Sequence, residues 1–169
     1  ATNAKGSGLL TLDGRWSMLT AGGKIFAHAD TANLKSSITT TKDGGTDPNR
    51  SKSGNVKVQV AKVLTVGTGS ISPTWTVVGA LSILDATSIV SAKGCSLVVT
   101  GDISVTTTGT SPGSWVSTDG DLNMASSTGD MTINTSLETK STSTPPTAHA
   151  ISLGAHKTLT IQDTKTITS

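Results

Sequence analysis

Side chains able to do chemistry are sparse in this chain, and their spacing assembles no reaction. The histidines are His28, His149 and His156. His28 and Asp30 would share one face of an extended strand, and His149 and His156 stand seven residues apart. A metal site drawn from these three is conceivable, but isolated surface histidines account for them more simply. Asp119, Asp121 and Asp130 lie among Gly, Ser and Thr, where a carboxylate accepts hydrogen bonds from nearby turn amides. Calcium would find its ligands there if anywhere; no metal and no cofactor is expected. Cys95, the single cysteine, excludes an internal disulfide and a thiolate zinc cluster. Within Gly94-Cys95-Ser96-Leu97-Val98-Val99 it reads as a small buried hydrophobe. There is no Gly-x-Ser-x-Gly elbow, phosphate loop, dinucleotide fingerprint or His-Glu-x-x-His. The expectation is a protein without catalytic activity.

Thr-x-Thr pairs recur at Thr39/Thr41, Thr74/Thr76, Thr106/Thr108, Thr158/Thr160 and Thr166/Thr168. Stacked on one flat face, such pairs could match a water lattice, as in ice-binding solenoids, but their spacing is irregular and Thr favours strands in any case. The sequons Asn49-Arg50-Ser51 and Asn134-Thr135-Ser136 are what chance supplies in so Ser/Thr-rich a chain.

The elements that must carry these residues are built from small side chains. Of 169 residues, 31 are Thr, 23 Ser and 18 Gly, and the aromatics are only Trp16, Phe26, Trp75 and Trp115. That composition can signal disorder, but a net charge of only +2 and ordered runs of Val, Ile and Leu argue for a folded chain with a thin core. A thin core gives the chain reason to bury more surface between subunits. No apolar run approaches the 18 residues of a bilayer span, and Ala1–Gly6 lacks the apolar core of a signal peptide. Charge is polarised: residues 1–70 hold nine Lys/Arg against four Asp/Glu, and residues 71–169 hold four against seven. The basic residues are too dispersed for a nucleic-acid footprint. Docking onto an acidic protein surface suits them better.

Residues 1–54 read as an irregular N-terminal arm with an exposed loop over 41–54, rich in turn formers. Asp30–Ile38 offers one or two helical turns. A β domain is expected over 55–169. Val56, Val58, Val60, Leu64 and Val66 share even positions; Trp75, Val77, Leu81 and Ile83, then Leu97, Val99, Ile103 and Val105, share odd ones. Period two with β-branched residues is the pattern of a half-buried strand. Lys62 breaks the register and marks a bulge or bend. Asp85–Gly94 fits either a short helix or a strand with turns. Thr158–Ile161 and Thr166–Thr168 read as a final strand pair, with Ser141–Thr147 as an extended linker before them. A chain closing on strand residues suggests a pairing partner such as another subunit.

A degenerate repeat runs through this half. Gly101-Asp102-Ile103-Ser104-Val105, Gly120-Asp121-Leu122-Asn123-Met124 and Gly129-Asp130-Met131-Thr132-Ile133 share one form, and Gly79-Ala80-Leu81-Ser82-Ile83 is a looser copy. Each reads as a turn feeding a strand whose first and third residues point inward. The glycine spacings are 22, 19 and 9. Steps near 20 suit coils of a solenoid, whereas the nine-residue step suits a hairpin with 125–128 as its loop. The expected fold is mainly β: an irregular β-helix or solenoid-like stack, with a β-sandwich as the alternative.

Gly-Asp turns, Ser/Thr-rich short strands and scarce aromatics over 55–169 resemble virion structural proteins. More narrowly, they resemble head decoration (cement) proteins and β-helical spike or fibre segments of tailed bacteriophages. The resemblance implies a trimer or similar homo-oligomer on the capsid surface of a virion, bridging major capsid protein subunits, with no nucleic acid or membrane as partner. It makes the N-terminal region the lattice-gripping arm, with Lys5, Arg15, Trp16, Lys24 and Phe26 as docking residues. Local core packing is the plain alternative for Trp16 and Phe26. A spike tip would carry a His-x-His near its end, whereas Ala148 and Ala150 flank His149 here. A secreted adhesin or ice-binding solenoid, acting outside the cell, is the rival class.

Overall fold

In the computed structural model the described residues are 9–12, 18–21, 24–41, 54–108, 114–162 and 165–169. Among them are nineteen strands and no helix. Every strand is short because every corner is close. The first coil is β1 (Leu9–Leu12), β2 (Met18–Ala21) and β3 (Ile25–Ala29). The second is β4 (Thr31–Leu34), β5 (Ile38–Thr41) and β6 (Val56–Val60). The third is β7 (Val63–Val66), β8 (Thr74–Val77) and β9 (Leu81–Ala86). The fourth is β10 (Ser88–Ser91), β11 (Cys95–Val99) and β12 (Ile103–Thr107). The fifth is β13 (Trp115–Thr118), β14 (Leu122–Ser126) and β15 (Met131–Asn134). The sixth is β16 (Leu137–Lys140), β17 (Ile151–Ala155) and β18 (Leu159–Ile161), and β19 (Ile167–Thr168) opens another turn.

Each strand pairs in parallel with the strand three places away in sequence, so the chain winds as a three-sided solenoid. The first side is the sheet β1-β4-β7-β10-β13-β16-β19, the second runs from β2 to β17 and the third from β3 to β18. Register pairs Leu9 with Thr31, Ala32 with Leu64, Leu64 with Ile89, Ile89 with Trp115, Trp115 with Leu137 and Leu137 with Ile167. Successive coils therefore take 22, 32, 25, 26, 22 and 30 residues, each rising by about 4.8 Å, the spacing of neighbouring strands.

Alternation does the sorting. Along β6 and β12 every second residue is buried, so like side chains stack in columns inside the triangle. One column on the third side is Ile25, Val56, Leu81, Ile103 and Met131, all buried. The two widest side chains among the described residues, Trp75 and Trp115, are fully buried. Their indole N–H groups donate to the Ser36 carbonyl at 3.3 Å and the Ser91 hydroxyl at 3.1 Å, so neither leaves a buried donor unpaired.

Several expectations need correction. Within 1–54, where the sequence suggested an irregular arm, β1 to β5 join the same three sheets. Their inward positions include Ala27, Ala29 and Ala32, all buried; alanine alternates with polar residues too quietly to announce a strand. Asp30–Ile38 forms β4, a corner and the start of β5, with no helical turn. Of the two readings of Asp85–Gly94, the strand with turns holds and the short helix does not: it contains the end of β9 and all of β10. The loop expected over 41–54 lies mostly outside the described residues; at its ends Thr41 closes β5, and buried Gly54 has φ 49°. The hairpin expected at 120–133 is absent, because β14 and β15 lie on different sides of one coil and pair with β17 and β18. The final strand pair likewise separates: β18 pairs with β15, and β19 with β16. A sandwich is excluded by the all-parallel stack.

Candidate functional site

The corners explain the Gly-Asp repeat, and they also set the surface chemistry. Because Ile25, Val56, Leu81, Ile103, Met131 and Leu159 are in register, the residues before them stack at the corner between the second and third sides. That column reads Lys24, Asn55, Ala80, Asp102, Asp130, Thr158. Its polar members hold the next coil: the Asn55 side-chain oxygen accepts from Ala80 N–H at 2.9 Å, Asp102 from Asp130 N–H at 2.9 Å, and Asp130 from Thr158 N–H at 3.1 Å. Each bond satisfies a backbone donor that the bend removes from the sheet ladder. At Gly129 the coils approach so closely that a Cβ would overlap Asp102.

Gly120-Asp121 belongs to a different corner, between the first and second sides. There Asp121 accepts from Ala150 N–H at 2.8 Å, and a Cβ on Gly120 would strike the Lys93 carbonyl. The spacings of 19 and 9 thus interleave two corners, and the step within one corner, Gly101 to Gly129, spans one coil. Asp119, at φ 52°, accepts hydrogen bonds from both the hydroxyl and the N–H of Thr142 and lies 3.6 Å from Lys93 Nζ. The Thr142 hydroxyl, then its N–H, hold the Asp119 carboxyl below its usual range; desolvation opposes them, and Lys93 adds a lesser lowering.

The outward face of the third side carries the remaining chemistry. Phe26 pairs in register with Lys57, and Lys57 with Ser82. Phe26 is 38% exposed, its ring stacks on His28 at 6.0 Å, and the Lys57 ammonium lies 5.3 Å from its centroid, within reach of a cation–π attraction. Lys24, Phe26, Asn55, Lys57, Ala80 and Ser82 rim a shallow, mostly apolar cleft of about 380 Å³. No carboxylate lines it, and neither Lys24 nor Lys57 has an acidic partner among the described residues. Asp30, the nearest acid in sequence to Phe26, pairs with Lys62 at 3.6 Å.

Of the five docking residues expected from sequence, Lys24 and Phe26 stand together on this cleft. Lys5, Arg15 and Trp16 lie outside the described residues. Lys57 was missed, although its outward position between Val56 and Val58 was legible. The histidines are kept apart: His28 is in the first coil, while His149 and His156 flank β17 in the sixth. His149 Nδ1 sits 3.6 Å from Asp121, and its Nε2 is buried without a partner. Among the described residues no group of three or more His, Cys, Asp or Glu could hold a metal. Cys95 is buried, and burial pushes its thiol up to about 12, against a smaller lowering by Ser91. The reactive thiolate is thereby suppressed.

Only two of the Thr-x-Thr pairs meet. Thr39 stacks on Thr76, but the row continues as Val98, Ala125 and Gly154; Thr106/Thr108 and Thr158/Thr160 share the third side but are separated by β15, and Thr166/Thr168 is on the first. No protein-family model matches the chain, and no curated protein or solved structure matches it either.

Proposed function

We propose that this chain is a non-enzymatic structural component of a virion, acting through its outer faces as a stiff contact element. The observation that carries the reading is the use of the corner acids: Asp102, Asp121 and Asp130 each hold the backbone of the following coil. Acids committed in this way stiffen the stack and are poorly placed to serve as paired acid and base in a reaction. Flat outer sheets, a lumen filled by side chains and a shallow basic cleft suit docking over large areas rather than turnover of a small substrate.

Two virion roles fit. Decoration of a capsid is favoured by the Lys24–Phe26–Lys57 patch, which presents positive charge without an acidic partner among the described residues, beside an exposed ring, and would grip an acidic shell subunit. A spike or fibre segment is favoured by the last turns of the stack, where Leu159 and Ile161 of the sixth coil and Ile167 of β19 are 41%, 38% and 43% exposed at positions that point inward in the coils below. A further layer of strands would cover them. The test is direct: particles purified from the source should contain this protein in many copies, detected by peptide mass spectrometry and located by antibody labelling. Heads labelled over their surface select decoration, labelled tails select the fibre role, and unlabelled particles overturn both.

A further inference from the structure

The three sides differ in what they show to solvent. The six strands of the second side contain no charged residue and no histidine, whereas the first side carries Glu138 and Lys140 and the third His28, Lys57 and Asp85. Two outward rows run up the second side. One is Thr39, Thr76, Val98, Ala125 and Gly154, from the second coil to the sixth. The other, two residues earlier, is Thr74, Ser96, Asn123 and Ser152. Ser37 continues it downward, its hydroxyl accepting from Thr74 N–H at 3.1 Å. Val98, at the centre, is 45% exposed. Gly154 lies inside β17, where a Cβ would meet nothing within 4 Å. Neither crowding nor a left-handed φ asks for glycine there, and a strand interior is weakened by it. Such a glycine marks a place where another backbone comes close.

Reversed end for end, this face matches itself. A two-fold axis lying in the contact plane along β11 keeps the rows in line and exchanges the coils. The second coil meets the sixth, the third meets the fifth, and the fourth meets itself. Thr39 then faces the copy's Gly154, Thr76 its Ala125, and Val98 its own counterpart. In the other row Ser37 faces the copy's Ser152, Thr74 its Asn123, and Ser96 its counterpart, so every polar group meets one able to donate or accept. The bulkier end of each row lies over the slighter end of the other, around a valine pair at the centre. Apolar contact in the middle with polar groups around it is the usual anatomy of an interface. Turning the copy about the solenoid axis instead sets Val98 against Ser96, and the match is lost.

We propose that two copies of this chain pair face to face through the second side, their solenoid axes antiparallel and Val98 on the two-fold axis. The proposal goes beyond the structural role above and does not rest on it. The occupant is a second copy because both rows complement themselves, and a face without charge selects neither an acidic nor a basic partner. Across five strands the contact measures about 19 Å by 16 Å, small beside a standard interface. The dimer is therefore weak and, with no ion pair in it, indifferent to salt.

Sedimentation equilibrium of the whole chain from about 10 μM to 1 mM tests it. A single monomer–dimer equilibrium is expected, its association constant changing less than about twofold between about 50 mM and 500 mM salt. Val98→Asp, which sets two carboxylates against each other on the axis, should weaken association at least about tenfold. Gly154→Val should also weaken it while leaving the thermal melt unchanged or higher, since the fold itself has room for the side chain. Thr76→Lys alone should weaken the dimer, and adding Ala125→Glu to the same chain should restore it, because the third coil faces the fifth twice. Lys57→Glu, on the third side, should leave association as it was. A wild-type chain monomeric throughout that range overturns the proposal, as does a trimer, an open-ended series or a dimer that salt dissociates. So does a dimer that survives Val98→Asp or Gly154→Val with the stack intact, that the lysine–glutamate pair fails to restore, or that Lys57→Glu abolishes.

Discussion

The fifth and sixth coils have the same design and different fates. Met131 and Ile133 on β15 are fully buried; Leu159 and Ile161, stacked directly on them, are about two-fifths exposed. Trp115 is sealed between Ile89 and Leu137, both fully buried, whereas Ile167 on the far side of Leu137 is 43% exposed. A lumenal side chain is buried by the coil above as much as by its own, so stability in such a stack is a sum of interfaces between neighbours. The fifth coil is held from both sides by apolar contact. The sixth is held from below, and much of that hold is polar: Asp119 grips Thr142, Asp121 grips Ala150 and Asp130 grips Thr158.

The largest test of that difference is Trp115→Ala. It removes a fully buried indole together with its hydrogen bond to the Ser91 hydroxyl. A loss of about 3–5 kcal/mol is expected, measured by urea denaturation. A cost below about 1 kcal/mol would mean that the lumen is loosely packed and the nearest-neighbour picture wrong. Next comes a matched pair on one column. Ile133→Ala should cost about 2–4 kcal/mol, and Ile161→Ala well under half of that, because the second site is already partly hydrated. Equal costs would show that something covers the last coil in solution, which concentration-dependent melting would then reveal.

How much of this was legible follows from which residues carry the signal. Val56, Val58 and Val60, or Ile103 and Val105, declare inward positions by branching and alternation, and these strands stand where the sequence placed them. Ala27, Ala29 and Ala32 fill the same role with a methyl group, and alternation fades below notice. The Gly-Asp repeat was visible, but its two interleaved corners were not. A glycine at either corner answers the same demand, close approach to the coil below, so sequence alone cannot say which corner it serves. The basic cleft was half legible. Lys24 and Phe26 were marked by type; Lys57 joined them only once register laid β6 beside β3.

Polar attachment of the sixth coil is open to smaller tests. Asp130→Ala removes the acceptor for Thr158 N–H and should cost about 1 kcal/mol, felt as faster hydrogen exchange in β18 with β9 and β12 unchanged. Asp130→Asn should restore protection, as Asn55 shows that an amide serves equally at this corner.

The smallest effect is set by pH at Asp119. Its carboxyl is held below the ordinary value of 3.8 by the Thr142 hydroxyl and N–H. The folded state therefore binds its proton less readily than the unfolded chain does. The resulting stability is present above pH 3.8 and is lost as pH falls through the lowered folded value. Exchange of the Thr142 amide should accelerate over that window relative to the amides of β16 beside it, and Asp119→Asn should remove the pH dependence while weakening the grip at every pH. Because Asp119 stands at the solvent-facing corner, neighbouring ions share its field, and the effect stays local: residues 141–150 loosen before the strands beneath them do. Simultaneous loss of protection in β13 and β14 would instead mean that this corner, and not the apolar lumen, secures the fifth coil.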